Sequence, residues 1–310
     1  MSTPLALLVF AVGLGVSLGA SEFLVRGFGR LGTNVGLAAG LVGLLTALGA
    51  DGPEISSAIT ALVSGAKDVG LGVILGSNLF NLAALLGFSA LVAGRVSFRR
   101  ILLALDGGVA LWATLVVGLM LLVRLAPLIA LVLVVAVFLF YVVLLAAKPR
   151  AIYGDLERTE RGGARWGPVW WIVPSIAAIV AGSVAMVNSA LALGDHWHLS
   201  RIFLGAVALA AITSLPNAYA ATRLALGGNG TAVLSLAFNS NTLNLLAGVS
   251  LPAVLIGGLA SAPGAMVDIA WLTALTLVAI GLGYLERGLS RWSGLLLIIG
   301  YLVFIAVILR

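Results

Sequence analysis

Apolar runs of about 20 residues, the length of a membrane-spanning helix, recur from one end of this chain to the other. Of its 310 residues 62% are hydrophobic and only 9% charged, where a soluble domain carries about 45–50% and about 25%. Too little polar surface remains to cover a water-facing globule, which excludes a disordered chain, a disulfide-built scaffold and a cytosolic enzyme. The chain contains no cysteine, so thiolate metal sites and thiol catalysis are excluded as well.

The apolar pattern predicts ten spans, at 4–25, 33–64, 68–93, 101–123, 125–147, 168–193, 199–226, 230–256, 266–285 and 290–309. The first lacks the basic leader of a signal peptide and is expected to be retained. A single sizeable polar stretch, 148–167, separates a first five-span unit (1–147) from a second (168–310). The +6 net charge suggests membrane anchoring, not nucleic acid. Thirteen of the 17 Lys and Arg fall in the loops after spans 1, 3, 5, 7 and 9. The positive-inside rule therefore predicts both termini outside and the 148–167 loop in the cytoplasm of a cell or inner membrane.

The two units are related. Shifting the chain by 163 positions lays Ala50-Asp51-Gly52-Pro53-Glu54 over Thr213-Ser214-Leu215-Pro216-Asn217. The same shift, without a gap, lays Ser77-Asn78-Leu79-Phe80-Asn81 over Ser240-Asn241-Thr242-Leu243-Asn244. Two polar motifs in one register mark an internal duplication. Five spans per unit is an odd number, so the second unit enters the membrane from the opposite side. That is the inverted-repeat plan of secondary transporters, whose sites lie near the midplane between the repeats.

An ionisable group at that depth costs about 2.5–3.5 kcal/mol on insertion scales and points to function. Asp51 and Glu54 lie within span 2, beside Gly49, Gly52 and Pro53. Proline removes one donor and clashes with the preceding turn, so spans 2 and 7 are both expected to break, at Pro53 and Pro216. Carboxylates beside freed carbonyl oxygens suit a hard cation. Ser77 and Asn81 share one helical face, as do Ser240 and Asn244. Hydroxyl and amide oxygens from these residues, with Asn78, Asn239 and Asn241, are neutral hard ligands. Interhelical hydrogen bonding by the same side chains is the simpler alternative.

On these motifs the chain resembles the sodium/calcium exchanger family, over essentially its whole length. That family combines a Gly-Thr-Ser-x-Pro-Glu-like break with a Gly-Ser-Asn-x-x-Asn/Asp-like motif in each of two inverted five-helix repeats. Here they read Gly49-Ala50-Asp51-Gly52-Pro53-Glu54 and Gly76-Ser77-Asn78-Leu79-Phe80-Asn81, then Ile212-Thr213-Ser214-Leu215-Pro216-Asn217 and Asn239-Ser240-Asn241-Thr242-Leu243-Asn244. The resemblance implies that Glu54 grips calcium with backbone oxygens around Ala50–Asp51 and Thr213–Ser214. It places sodium at overlapping sites made by Ser77, Ser240 and the asparagines. Four positions depart from the pattern. Asn217 replaces a second glutamate, Asn244 stands where Asp is common, Asp51 replaces a hydroxyl residue, and Ala50 replaces Thr.

The expectation is therefore an all-α membrane protein of two inverted five-helix repeats, a cation antiporter with alternating access gated by spans 1 and 6. Its ion-binding residues would be Ala50, Asp51, Glu54, Ser77, Asn78, Asn81, Thr213, Ser214, Asn217, Ser240, Asn241 and Asn244. Calcium or sodium would be held mainly by Glu54, Asp51, Asn81, Asn217 and Asn244. No cofactor, nucleic acid or enzymatic activity is expected: no Ser/His pair lies in the spans, and the partners are lipid and inorganic cations, with the monomer as the working unit. Exchange of monovalent cations or protons instead, and a passive channel, stay open, as does the direction in which Asp51 points. Asp106 and Asp268, 162 positions apart, are read as acids at helix starts favoured by the macrodipole. Glu22 is read as interfacial, His196 and His198 as loop anchors around Trp197, and most tryptophans as an interfacial belt.

Overall fold

A computed structural model describes residues 2–37, 39–147, 167–259 and 264–309; the expected polar loop at 148–167 lies outside them except for Gly167. Among the described residues, nine helices are long and apolar enough to cross a membrane. They are α1 (Thr3–Val35), α4 (Lys67–Ala93), α5 (Arg100–Leu122), α6 (Pro127–Ala147), α7 (Ile172–His196), α8 (Arg201–Leu226), α9 (Gly230–Leu255), α10 (Ala265–Glu286) and α11 (Arg291–Ile308). Span 2 is divided into α2 (Ala39–Ala50) and α3 (Gly52–Val63), each of 12 residues.

α1 is longer than the predicted 4–25. Nothing breaks it before Gly36, at φ 76°, and Glu22 pairs with Arg26 one turn on at 2.9 Å on an exposed face. Such i,i+4 pairs stabilise an exposed helix face. Arg26 and Arg30 thus belong to α1 itself, not to a loop.

The expected break in span 7 is overturned. α8 continues through Pro216 as regular helix, because a membrane helix tolerates a missing amide where neighbouring groups re-satisfy the backbone. Its irregularity lies earlier, in a π-turn at Leu204–Leu209. Two further π-turns, Leu82–Phe88 in α4 and Asn244–Ser250 in α9, begin at corresponding places in the two repeats, immediately after Asn81 and at Asn244. Each inserts an extra residue into the helical turn and re-aims the side chains that follow.

α4 and α9 form the centre. In their most apolar stretches 89% and 72% of residues are buried, against 22% for α1 and for α6 at the periphery. Gly76 makes the α4–α8 crossing possible: a Cβ there would sit 2.2 Å from the Ala206 carbonyl oxygen. Gly13 does the same between α1 and α7, where a Cβ would lie 2.7 Å from the Gly182 carbonyl oxygen. The chain is not wholly helical. β1 (Arg95–Ser97) and β2 (Gly288–Ser290) pair antiparallel, Val96 opposite Leu289. They give the loops after spans 3 and 9 the backbone partners that those loops otherwise lack.

Candidate ion-binding site

The site is built where α2 gives way to α3. Asp51 alone separates the two helices. Pro53 has no N–H, so the Gly49 carbonyl loses its helical partner; Ser21 of α1 donates its hydroxyl to it at 2.9 Å and reaches the Ala50 carbonyl at 3.4 Å. The discontinuity is therefore one residue wide and braced from α1. It carries Asp51 and Glu54, both completely buried.

Asp51 points across the repeat interface. Its Oδ1 accepts a hydrogen bond from Asn217 Nδ2 of α8 at 2.9 Å, and the Ser240 hydroxyl of α9 lies beside it. The Ser214 hydroxyl of α8 lies beside Glu54, and the two carboxyl groups act on each other. Asp51 faces Asn217 and Glu54 faces Ser214, which is one arrangement repeated about the pseudo-two-fold axis, since Ser214 and Asn217 are the counterparts of Asp51 and Glu54.

Four reciprocal hydrogen bonds join α4 to α9. Asn78 Nδ2 donates to the Asn241 carbonyl at 3.0 Å, and Asn241 Nδ2 to the Asn78 carbonyl at 3.1 Å. A backbone oxygen can only accept, so both amides are fixed in orientation. Their Oδ1 atoms then accept from Asn244 Nδ2 at 3.0 Å and from Asn81 Nδ2 at 3.1 Å. Asn78 and Asn241 are thereby committed at both amide atoms to tying the repeats together, while Asn81 and Asn244 each keep an Oδ1 without a partner.

Seven buried oxygen atoms at the expected site residues have no hydrogen-bond partner: Asp51 Oδ2, Glu54 Oε1 and Oε2, Asn81 Oδ1, Ser214 Oγ, Ser240 Oγ and Asn244 Oδ1. Buried polar atoms are ordinarily paired, and a carboxylate or an amide oxygen can only accept. A set dominated by such acceptors, drawn from four helices and both repeats, lacks positive charge. Glu22 and Arg26 form an ion pair on an exposed face of α1, outside this centre.

The remaining expected residues divide. Ala50 contributes its carbonyl at the break. Ser77 is buried and makes a long contact, 3.5 Å, to the Ala210 carbonyl. Thr213 is bonded back to its own helix, at Leu209 and Ala210. Two apolar clefts, of about 440 Å³ beside Leu215 and Tyr219 and about 250 Å³ beside Gly52 and Ile55, flank the centre without either carboxyl group in their walls.

Asp106 is not a helix-start acid. It lies two turns into α5, completely buried, where its carboxyl accepts from Tyr141 Oη of α6 and Ser235 Oγ of α9. Asp268 is in the first turn of α10, as expected. The Asp106 group escaped the sequence reading because its members come from three separate helices and form no motif.

The sodium/calcium exchanger protein family profile matches residues 5–148 and 167–310. The chain belongs to that family. Two curated relatives are CaxA of Alkalimonas amylolytica, provisionally named an antiporter, 25% identical with 94% of each chain covered, and the inner membrane protein YrbG of Escherichia coli, 27% identical with 82% of this chain and 81% of that one covered. Among solved structures, the sodium-calcium exchanger NCX_Mj superposes with a TM-score of 0.68 at 20% identity, covering 98% of this chain and 99% of the other. YfkE gives 0.68 at 17% identity, covering 97% and 95%. These exchanger-family likenesses give the fold: an integral membrane protein, all-helical in its spans and built as two repeats.

Proposed function

We propose that the chain is a secondary-active cation antiporter whose ions occupy the centre between α3, α4, α8 and α9. The observation that carries this reading is the set of seven buried oxygens without partners. Two ionised carboxylates hold two negative charges, which one divalent or two monovalent cations would balance. Calcium site strength follows the number and charge of its oxygen ligands. On this reading Glu54, Asp51, Asn81 and Asn244, with the hydroxyls of Ser214 and Ser240, are the ligands. Asn217 steadies Asp51, and Asn78 with Asn241 holds the two repeats in register. Asp51 supplies from the first repeat the second acid that Asn217 does not supply from the second. Sodium and calcium are the exchanged ions, in keeping with the family and with the name of the exchanger NCX_Mj.

Alternating access follows from the duplication. α1 and α7 pack closely on one another, at Gly13–Gly182 and Ser17–Ser183, and lie against α3. Sliding this pair over the core would open the centre to one side, then the other. The working unit is the monomer, each repeat being one five-span unit (1–147 and 168–310) around the 148–167 loop, with that loop cytoplasmic and both termini outside.

A second reading has its own support: Asn217 turns an N–H, not an oxygen, toward Asp51. Such a site suits monovalent cations or protons better than calcium. Asn217→Glu separates the two. Gain of calcium binding, measured by isothermal titration, would show that the amide had set specificity toward monovalent ions; unchanged strong calcium binding in both forms favours the first reading.

A further inference from the structure

Asp106, Tyr141 and Asn239, all buried, and the half-buried Ser235 form a second polar group that adjoins the ion centre along α9. Three short oxygen–oxygen contacts hold it together: Tyr141 Oη to Asp106 Oδ1 at 2.8 Å, Tyr141 Oη to Asn239 Oδ1 at 3.1 Å, and Ser235 Oγ to Asp106 Oδ2 at 2.6 Å. Each contact needs a hydrogen. Ser235 supplies one and Tyr141 one, while an ionised carboxylate and an amide oxygen supply none. The single phenol hydrogen cannot serve both Asp106 and Asn239.

Two arrangements resolve the shortage. In the first, Asp106 carries a proton on Oδ1 and donates to Tyr141 Oη, and Tyr141 donates to Asn239 Oδ1. In the second, that proton has left to water, Tyr141 donates to the carboxylate, and the Asn239 amide has turned over so that Nδ2 donates to Tyr141 Oη. The hydrogens balance in each, and the two ends of the Asn239 amide exchange places between them. We propose that Asp106 is an exchangeable proton site that, through the Tyr141 hydroxyl, sets the orientation of Asn239, the residue immediately before Ser240 and Asn241.

The fold does not need this cluster for its own sake. The repeat offset of 163 lays Ile269 over Asp106, with Asp268 one position earlier, while Phe304 stands for Tyr141, and Gly72 and Gly76 stand for Ser235 and Asn239. Asp268 accordingly has an Oδ1 with no partner. One half of the duplication has a buried acid near this place without hydroxyl partners, and the other surrounds Asp106 with a hydroxyl relay to the ion-bearing helix.

The surroundings leave Asp106 as the group that would titrate. α6 contributes Tyr141, while α9 and its π-turn have no ionisable residue. α10 presents Ile280 to Gly107; its Asp268 lies toward the opposite end of the α5–α10 pair, near the level of Ile269 and Gly118. Tyr284 and Glu286 lie at the near end, with Arg100 and Arg95 bonded to their carbonyls.

Infrared difference spectroscopy on the full chain in lipid tests the inference without reference to transport. The wild type minus Asp106→Asn difference is expected to contain a carboxylic acid C=O band at acidic pH that is lost at alkaline pH, and Tyr141→Phe is expected to displace it. Asp106→Asn should fold, since its amide can donate to Tyr141 and accept from Ser235 as the protonated acid does. A difference holding only carboxylate bands at every pH, or an acid band that neither titrates nor responds to Tyr141→Phe, overturns the proposal. A flux measurement adds an arm that rests on the proposed ion site. Asp106→Asn is expected to keep maximal flux and lose its pH dependence, and an unaltered pH profile in this variant would contradict the relay. If no cation is carried at all, the ion-site reading fails while the infrared result still decides the proton site.

Discussion

Glu54 is the residue on which the proposed site depends, because both its oxygens are buried and neither has a partner. Removing its charge by Glu54→Gln keeps the volume and is expected to abolish ion-coupled flux while leaving the thermal midpoint unchanged or raised. An uncompensated buried charge is costly, and the amide removes it. Asn78→Ala is expected to behave in the opposite way. It strands Asn244 Nδ2 and a tie to the Asn241 carbonyl, so it should lower stability by about 1–3 kcal/mol in a thermal unfolding series. Sequence spacing identifies both asparagines of each motif but cannot separate their roles. Asn78 and Asn81 differ only in which atoms the facing repeat occupies, and that becomes visible once α4 and α9 are in contact. The direction of Asp51 was illegible for the same reason: a motif fixes register, whereas the rotamer is fixed by Asn217.

At the scale of elements, the break in span 2 is a property of Pro53 and of its brace. Ser21→Ala removes the hydroxyl that serves the Gly49 carbonyl and is expected to cost about 0.5–1.5 kcal/mol, read as a lowered unfolding midpoint. Gly76→Ala places a methyl group against the Ala206 backbone, which has no flexible end to yield. Overpacking of this kind costs about 1–3 kcal/mol, and a reduced yield of folded protein with a lower midpoint is the expected outcome. The apolar spans were legible because run length is a local cause; at Pro53 the missing N–H goes with a one-residue interruption at Asp51. Pro216 lacks the N–H as well and does not divide α8, since the surroundings of a membrane helix decide whether a missing bond becomes a break. The three π-turns and the β1–β2 pair were illegible, having no residue pattern of their own and depending on partners distant in the chain.

For the whole molecule, the duplication was the most informative feature of the sequence, and its departures from symmetry are the most informative feature of the structure. The two repeats share the π-turns that follow their asparagine motifs and the asparagine ties, yet the Leu204–Leu209 π-turn belongs to the second repeat, both carboxylates of the proposed ion site come from the first, and the hydroxyl cluster surrounds Asp106. In the proposed mechanism, shared features build a centre that the two halves close alternately, and unshared ones select what enters it. The most direct test is radioactive calcium uptake into proteoliposomes loaded with sodium, with and without an outward sodium gradient, for the wild type and Glu54→Gln side by side. The account expects gradient-driven uptake that saturates and that Glu54→Gln eliminates. Gradient-driven uptake of equal size in the variant, or folded wild-type protein that moves neither calcium nor any monovalent cation or proton, would contradict it.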